Sequence, residues 1–167
     1  MFLFIDTETT GLPIDNIFKK KEIYNWPRLI QISWLMYNKN GKLISNKNFY
    51  IKLNKKYIIS LESIKKHGIT PIYLKQHGIN INKILKIFIK VLKKTKILIG
   101  HNISYDINIL LSELFRYKKT KTINILIKKK KIDTQKILLF YYNKWITLEK
   151  LYNILYNIKY EYKFHNS

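Results

Sequence analysis

The run Phe2-Leu3-Phe4-Ile5-Asp6-Thr7-Glu8 begins with four apolar residues and ends in two carboxylates one residue apart. A short apolar run rich in aromatic and β-branched side chains reads as a strand. Neighbouring side chains of a strand alternate between its faces, so Asp6 and Glu8 project together, roughly 6 to 7 Å apart. Like charges this close repel unless a proton or a cation separates them. The chain has only 10 acidic residues, and placing two of them here points to the start of a divalent metal site.

The 167 residues are 47% hydrophobic and include no cysteine, five glycines and three prolines. That composition fits one domain, spanning 1–167, with enough apolar material for a core. Disulfides and thiolate metal sites are excluded. The apolar run before Asp6 is too short for a signal peptide, and no stretch approaches the ~20 apolar residues that cross a membrane. A cytoplasmic protein without membrane contact is the expectation. The net charge of +22 comes from 32 basic residues, 30 of them Lys. Such a chain attracts polyanions, nucleic acid foremost. Alanine is absent, valine occurs once, and Ile, Asn, Lys and Tyr dominate; this is also the signature of drift toward AT-rich codons. The basic charge therefore supports a nucleic-acid partner without establishing it, and Lys128-Lys129-Lys130-Lys131 reads as a solvated loop.

Strands are expected at 2–6, 29–37 and 43–53, the last two joined by the turn sequence Asn38-Lys39-Asn40-Gly41. Ile81, Ile84, Leu85, Phe88, Val91 and Leu92 follow helical spacing. Ile97-Leu98-Ile99 is a short buried strand ending in Gly100, and Ser104 is placed to cap a helix through Ile107, Leu110, Leu111 and Leu114. Further helices are expected at 134–143 and 147–157. An antiparallel meander followed by alternating helix and strand describes an α/β fold with a mixed sheet.

A second polar cluster, Gly100-His101-Asn102-Ile103-Ser104-Tyr105-Asp106, follows a buried strand. Ligand sites in open α/β sheets form at such strand ends, so Asp106 can face Asp6 and Glu8. Taken alone, Asp106 also reads as a helix N-terminal residue favoured by the macrodipole.

Together these segments resemble the DEDDh branch of 3′-to-5′ exonucleases, the group that includes the proofreading epsilon subunit of bacterial DNA polymerase III. Phe4-Ile5-Asp6-Thr7-Glu8-Thr9-Thr10-Gly11-Leu12 is similar to the first family motif and Gly100 through Asp106 to the second. Trp26-Pro27-Arg28-Leu29-Ile30-Gln31-Ile32-Ser33 and His67-Gly68-Ile69-Thr70-Pro71 resemble segments between these motifs, and Ile132-Asp133-Thr134 resembles the strand-to-helix step that follows. The resemblance implies an RNase H-like fold, with antiparallel first three strands in a mixed sheet flanked by helices. It implies two divalent cations, Mg²⁺ or Mn²⁺, held by Asp6, Glu8 and Asp106. It also implies single-stranded 3′ ends as substrate, DNA first, and a DNA polymerase subunit as a partner. Thr7, Thr9, Leu12, Glu62, His67, His101 and Asn102 are the implied substrate-side residues, with Leu12 wedging against the last base.

Lys163-Phe164-His165-Asn166-Ser167 resembles the start of the third motif, which makes His165 the general base. The family places a further Asp five residues later, and the sequence stops two residues after His165. The domain is therefore expected to lack its closing helix and its fourth acidic ligand. The α-carboxylate of Ser167 and Asp133 are the other acids at hand, the latter expected to cap a helix. Two further readings stay open: a noncatalytic remnant that binds nucleic acid or a polymerase subunit, and an RNA-trimming exoribonuclease.

Overall fold

The computed structural model describes residues 1–15 and 17–157. Five strands form one mixed sheet: β1 (Phe2–Thr9), β2 (Leu29–Tyr37), β3 (Leu43–Tyr50), β4 (Ile97–Gly100) and β5 (Lys130–Asp133), ordered β3-β2-β1-β4-β5. The first three pair antiparallel, as expected, while β4 lies parallel to both β1 and β5. Between and after them come α1 (Leu61–His67), α2 (Pro71–His77), α3 (Ile81–Lys94), α4 (Ile103–Arg116), α5 (Thr120–Lys128), α6 (Thr134–Tyr142) and α7 (Leu148–Tyr156). A short 3-10 helix spans Lys20–Asn25.

Strand alternation sets the layers. Leu3 and Ile5 of β1 and Ile32, Trp34 and Met36 of β2 are buried, and they join Ile84, Leu85 and Phe88 of α3 and Ile107, Leu110 and Leu114 of α4 in the main core. Trp34 is the hub, with its ring centroid 5.9 Å from that of Phe88 and 5.3 Å from that of Phe49. A smaller cluster of Ile30, Ile59, Ile69 and Leu74 holds α1 and α2 against the start of β2. On the other sheet face Phe4 and Leu35 stay exposed, beside a groove bordered by Leu148 and Leu151 of α7. Among the described residues no helix is long and apolar enough to cross a membrane.

The structure corrects several sequence-based boundaries. β1 continues through Glu8 to Thr9, because its pairing with β2 persists past Asp6. β3 ends at Tyr50, short of 53. The lysine run is no loop: Lys128 ends α5, and Lys130 and Lys131 pair with Ile97 and Leu98 in β5. Edge position reconciles their charge with a strand, since an edge strand faces water. The N-cap of α4 is Asn102, in the left-handed region at φ 65°, and Ser104 sits inside the helix. Gly100 is fixed by space: a Cβ there would lie 3.1 Å from the Ile103 side chain and 3.3 Å from the Ile5 carbonyl.

One buried ion cluster ties the layers together. Glu113 of α4 is fully buried and accepts from Arg28 Nε at 2.7 Å, Arg116 Nη1 at 2.9 Å and the Leu29 amide at 3.2 Å. Arg116 also donates to the Ile23 and Trp26 carbonyls, which fixes the segment leading into β2. Deleting one partner of a buried pair strands the opposite charge. Glu113→Ala is therefore expected to lose about 3 to 5 kcal/mol of stability, read as a lower urea midpoint; a midpoint within error of wild type would contradict this role.

Candidate active site

Asp6 and Glu8 lie at the carboxyl end of β1, beyond the Phe2–Phe4 stretch that pairs with β4 and opposite Ser33 and Gln31 of β2. The turn after β4 delivers His101, Asn102 and the first turn of α4 to the same end of the sheet. A cleft of about 250 Å³ opens there, with Asp6, Glu8 and Asp106 all in its wall. Thr7, on the opposite face of β1, donates its hydroxyl to Asp106 Oδ1 at 2.7 Å and so locks strand to helix. Among the described residues no three His, Cys, Asp or Glu side chains form a compact metal-binding group; the carboxylates surround the cleft rather than closing on a single point.

The cleft carboxyls are raised by their surroundings. Burial raises the Glu8 carboxyl to about 7, with repulsion from Asp6 adding to it and Lys66 drawing it back. Burial likewise raises Asp106 to about 8; the Thr7 hydrogen bond opposes this and Asp6 reinforces it. Asp6, though open to the cleft, is raised by desolvation against the opposing pull of the Thr7 amide, Lys66 and His101. None of the three forms an ion pair among the described residues. The donor set is all oxygen and anionic, which fits a hard cation such as Mg²⁺ or Mn²⁺ better than zinc. Asp6, Glu8 and Asp106 are the residues that would hold it.

The other expected residues divide by what they touch. Leu12 is 78% exposed on the cleft rim. Thr9 is buried; its hydroxyl bonds the Gly11 carbonyl at 2.7 Å and the Tyr105 hydroxyl at 2.8 Å, which shapes the loop that carries Leu12. His67 lines the cleft, but both its nitrogens are engaged. Nδ1 accepts from the Ile69 amide at 3.0 Å, so the proton lies on Nε2, which donates to the Thr9 carbonyl at 3.3 Å. Burial lowers its pKa, which keeps the ring neutral. Its geometry is that of a strap between α1 and β1. His101 is similarly bound, with Nε2 to the Ile146 carbonyl at 2.8 Å and Nδ1 to the Thr134 hydroxyl at 3.0 Å.

Asn102 lines the cleft, and its amide donates to Asp133 Oδ1 at 2.9 Å. Asp133 also caps α6 through the Gln135 amide, so its carboxylate is committed to the backbone, as the sequence suggested. Glu62 is exposed on the first turn of α1 and is not in the cleft wall; the residues that α1 supplies there are Ser63, Lys66 and His67. Lys66, Ser63 and Tyr105 are therefore cleft residues that sequence reasoning did not single out. Helical spacing from His67 was the available signal for Ser63. His165 lies outside the described residues.

Raised carboxylates make stability depend on pH. Because the folded values near 7 and 8 exceed those of the unfolded chain, the folded metal-free protein binds more protons between about pH 4 and 8, and stability falls as pH rises through that window. In EDTA, the melting temperature should drop from pH 5 to pH 8.5. Asp106→Asn, which keeps an acceptor for Thr7, should flatten that dependence, and Mn²⁺ should raise the wild-type value at pH 8. A pH-independent melting curve in wild type would contradict the electrostatic reading.

Comparisons with known proteins agree with this architecture. A family model described as Exonuclease (RNase T) matches residues 3–167. No curated protein matches the chain at a significant level. Among solved structures, apo exonuclease I superposes with a TM-score of 0.66 at 19% identity, over 84% of this chain and 30% of that one. E. coli exonuclease I in complex with a dA16 oligonucleotide gives 0.65 at 19% identity, over 84% of this chain and 29% of that one. The dT13 complex of E. coli exonuclease I gives the same values. The chain thus spans about 30% of the length of these structural neighbours. The match over nearly all its residues, together with the shared fold, shows that the chain belongs to the exonuclease family, the DEDDh-type nucleases that its motifs resemble.

Proposed function

We propose that this protein is a metal-dependent 3′-to-5′ exonuclease that removes mononucleotides from single-stranded or frayed DNA ends. The observation that carries the reading is the set of three carboxylates, Asp6, Glu8 and Asp106, unpaired and raised in pKa around one cleft. A divalent cation bound there supplies charge neutralisation at the phosphodiester and a lower pKa for the attacking water. Support for a single-stranded DNA substrate comes from exonuclease I, whose structures were solved with dA16 and dT13 oligonucleotides. Replication proofreading or repair, and a polymerase subunit as partner, follow from the motif resemblance to the epsilon subunit.

The chain's own residues divide the work. Leu12 offers an apolar edge at the cleft rim on which the terminal base can rest. Thr9, Tyr105 and His67 hold the loop that presents it. Thr7 keeps Asp106 facing Asp6. Lys66 brings a cation to the mouth of an otherwise acidic cleft, where an incoming phosphate meets it. His165, the histidine of the third-motif resemblance, would take the proton of the attacking water. Attack at phosphorus expels the 3′ oxygen of the preceding nucleotide and releases a 5′-mononucleotide.

A second reading, a noncatalytic remnant that binds nucleic acid, is favoured by the three carboxylates not closing into a compact group among the described residues. Turnover separates the two. With 5′-labelled single-stranded DNA and Mg²⁺ or Mn²⁺, the wild-type chain should produce a ladder of shortening products. Asp6→Ala should abolish the ladder while keeping or raising the melting temperature, because it relieves carboxylate repulsion. A folded wild type that binds the strand without shortening it would establish the remnant. His165→Ala should slow turnover roughly 10²- to 10⁴-fold and remove the acid limb of the pH profile; an unchanged profile would reject His165 as the base.

A further inference from the structure

A second pocket of about 250 Å³ lies across the Thr10 junction from the catalytic cleft, with Arg28, Lys52, Asn54, Lys56, Tyr57 and Tyr117 in its wall. Arg28 is the arginine in that wall; it and Arg116 are the only arginines among 32 basic residues. In a chain that otherwise uses lysine, both converge on the buried Glu113, two cations on one anion. Arg28 spends Nε and Nη2 on Glu113, and Nη2 also reaches the Tyr117 hydroxyl at 3.4 Å. Its guanidinium lies 4.3 Å over the Tyr57 ring. Nη1 makes no hydrogen bond among the described residues, and the Arg28 side chain keeps 13% of its surface exposed.

Lys56 Nζ approaches the same ring at 5.1 Å, and neither Lys52 nor Lys56 has an acidic partner among the described residues. No acid is in the pocket wall. A guanidinium held by Glu113 with Nη1 unbonded, and two lysines without an acidic partner, both among the described residues, together with an aromatic wall match an anionic, phosphate-bearing ligand. The pocket is also joined to the cleft. Thr10, two residues after Glu8, bonds the Arg28 carbonyl at 2.9 Å and accepts from the Arg28 amide at 3.0 Å. The Thr10 carbonyl in turn accepts from Ser60, the N-cap of the helix that brings Lys66 and His67 to the cleft.

We propose that this pocket is a second phosphate subsite, which grips the single strand upstream of the nucleotide held in the catalytic cleft. The proposal rests on the nuclease reading and extends it: the cleft takes the 3′ end, and the Arg28 pocket sets how much of the strand behind it is bound. Affinity should then rise with strand length until the pocket is reached. Its dependence on salt should reflect phosphate contacts made by Lys52 and Lys56.

The test uses the full chain and fluorescence anisotropy in Mg²⁺, with 3′-phosphorothioate-protected single strands of 2, 4, 8 and 12 nucleotides. Wild type should bind the longer strands more tightly than the dinucleotide. Lys52→Gln/Lys56→Gln should leave dinucleotide binding unchanged, weaken the longer strands roughly tenfold at low salt, and reduce the slope of log affinity against log salt by about 1.4, roughly 0.7 per lost contact. Lys93→Gln/Lys94→Gln removes the same charge at the far end of α3, about 20 Å along the helix from Ile81 at the pocket. It should have little effect.

Equal losses in the two double variants would show diffuse charge and overturn the subsite, as would wild-type affinity in the pocket variant. Competition by inorganic phosphate with no dependence on strand length would make the pocket a small-anion site and overturn it as well. Cleavage of unprotected strands is scored separately. Its absence in wild type would remove the nuclease reading, whereas normal cleavage with no pocket effect would remove only the subsite.

Discussion

A β-strand has two faces and a period of two, and β1 uses both faces for different work. Leu3 and Ile5 anchor it in the core, and Thr7 continues that face to hold Asp106. Asp6 and Glu8 occupy the opposite face. The strand is paired on both sides, with β2 antiparallel and β4 parallel, so it cannot slide without moving every apolar side chain out of the core. The position of the carboxylates is thereby fixed by the packing of residues that take no part in the chemistry. The site depends on this coupling between register and core.

The acid cluster carries an electrostatic cost that the rest of the molecule tolerates. Three desolvated carboxylates with raised pKa values are held together by Thr7, the β1 backbone and the first turn of α4. The fold places the fully buried Glu113 against two arginines, where desolvation is offset by hydrogen bonds. The contrast is informative. Where a carboxylate serves structure, the chain supplies its cation internally; around the cleft the carboxylates form no ion pair among the described residues, and Lys66 and His101 are the basic groups that act on Asp6. That imbalance is the feature on which the proposed cation and phosphate site rests.

The histidines show how position in sequence and role in structure can separate. His67 and His101 both border the cleft, yet backbone and threonine groups engage their ring nitrogens, so they align loops. Glu62, in the same segment as His67, points away because α1 turns its Ser63 and Lys66 side to the cleft. Spacing in the chain identified the right helix. It could not say which face of that helix met the site, since the path of the chain between β3 and α1 sets the rotation.

Much of the architecture was legible from local pattern. The alternation in β1, the Asn-Gly turn region before β3, the helical spacing in α3 and α4 and the Asp133 cap each follow from short-range rules that tertiary contacts did not override. The pairing of Asp6 with Glu8 followed from strand periodicity alone, and the approach of Asp106 from the position of α4 after β4. Sequence missed α5 and the first half of β5 because lysine masks periodicity: Lys130 and Lys131 read as solvent, and only pairing with β4 makes them a strand, whereas the strand-to-helix step at Ile132-Asp133-Thr134 was legible through the family resemblance. It also missed the convergence of Arg28 and Arg116 on Glu113, although the presence of two arginines among so many lysines was visible. The sequence determined which residues could bind a metal, because residue type and local period decide donor chemistry. Tertiary structure decided which of them share a cleft, because that depends on contacts between segments roughly a hundred residues apart, such as Thr7 with Asp106.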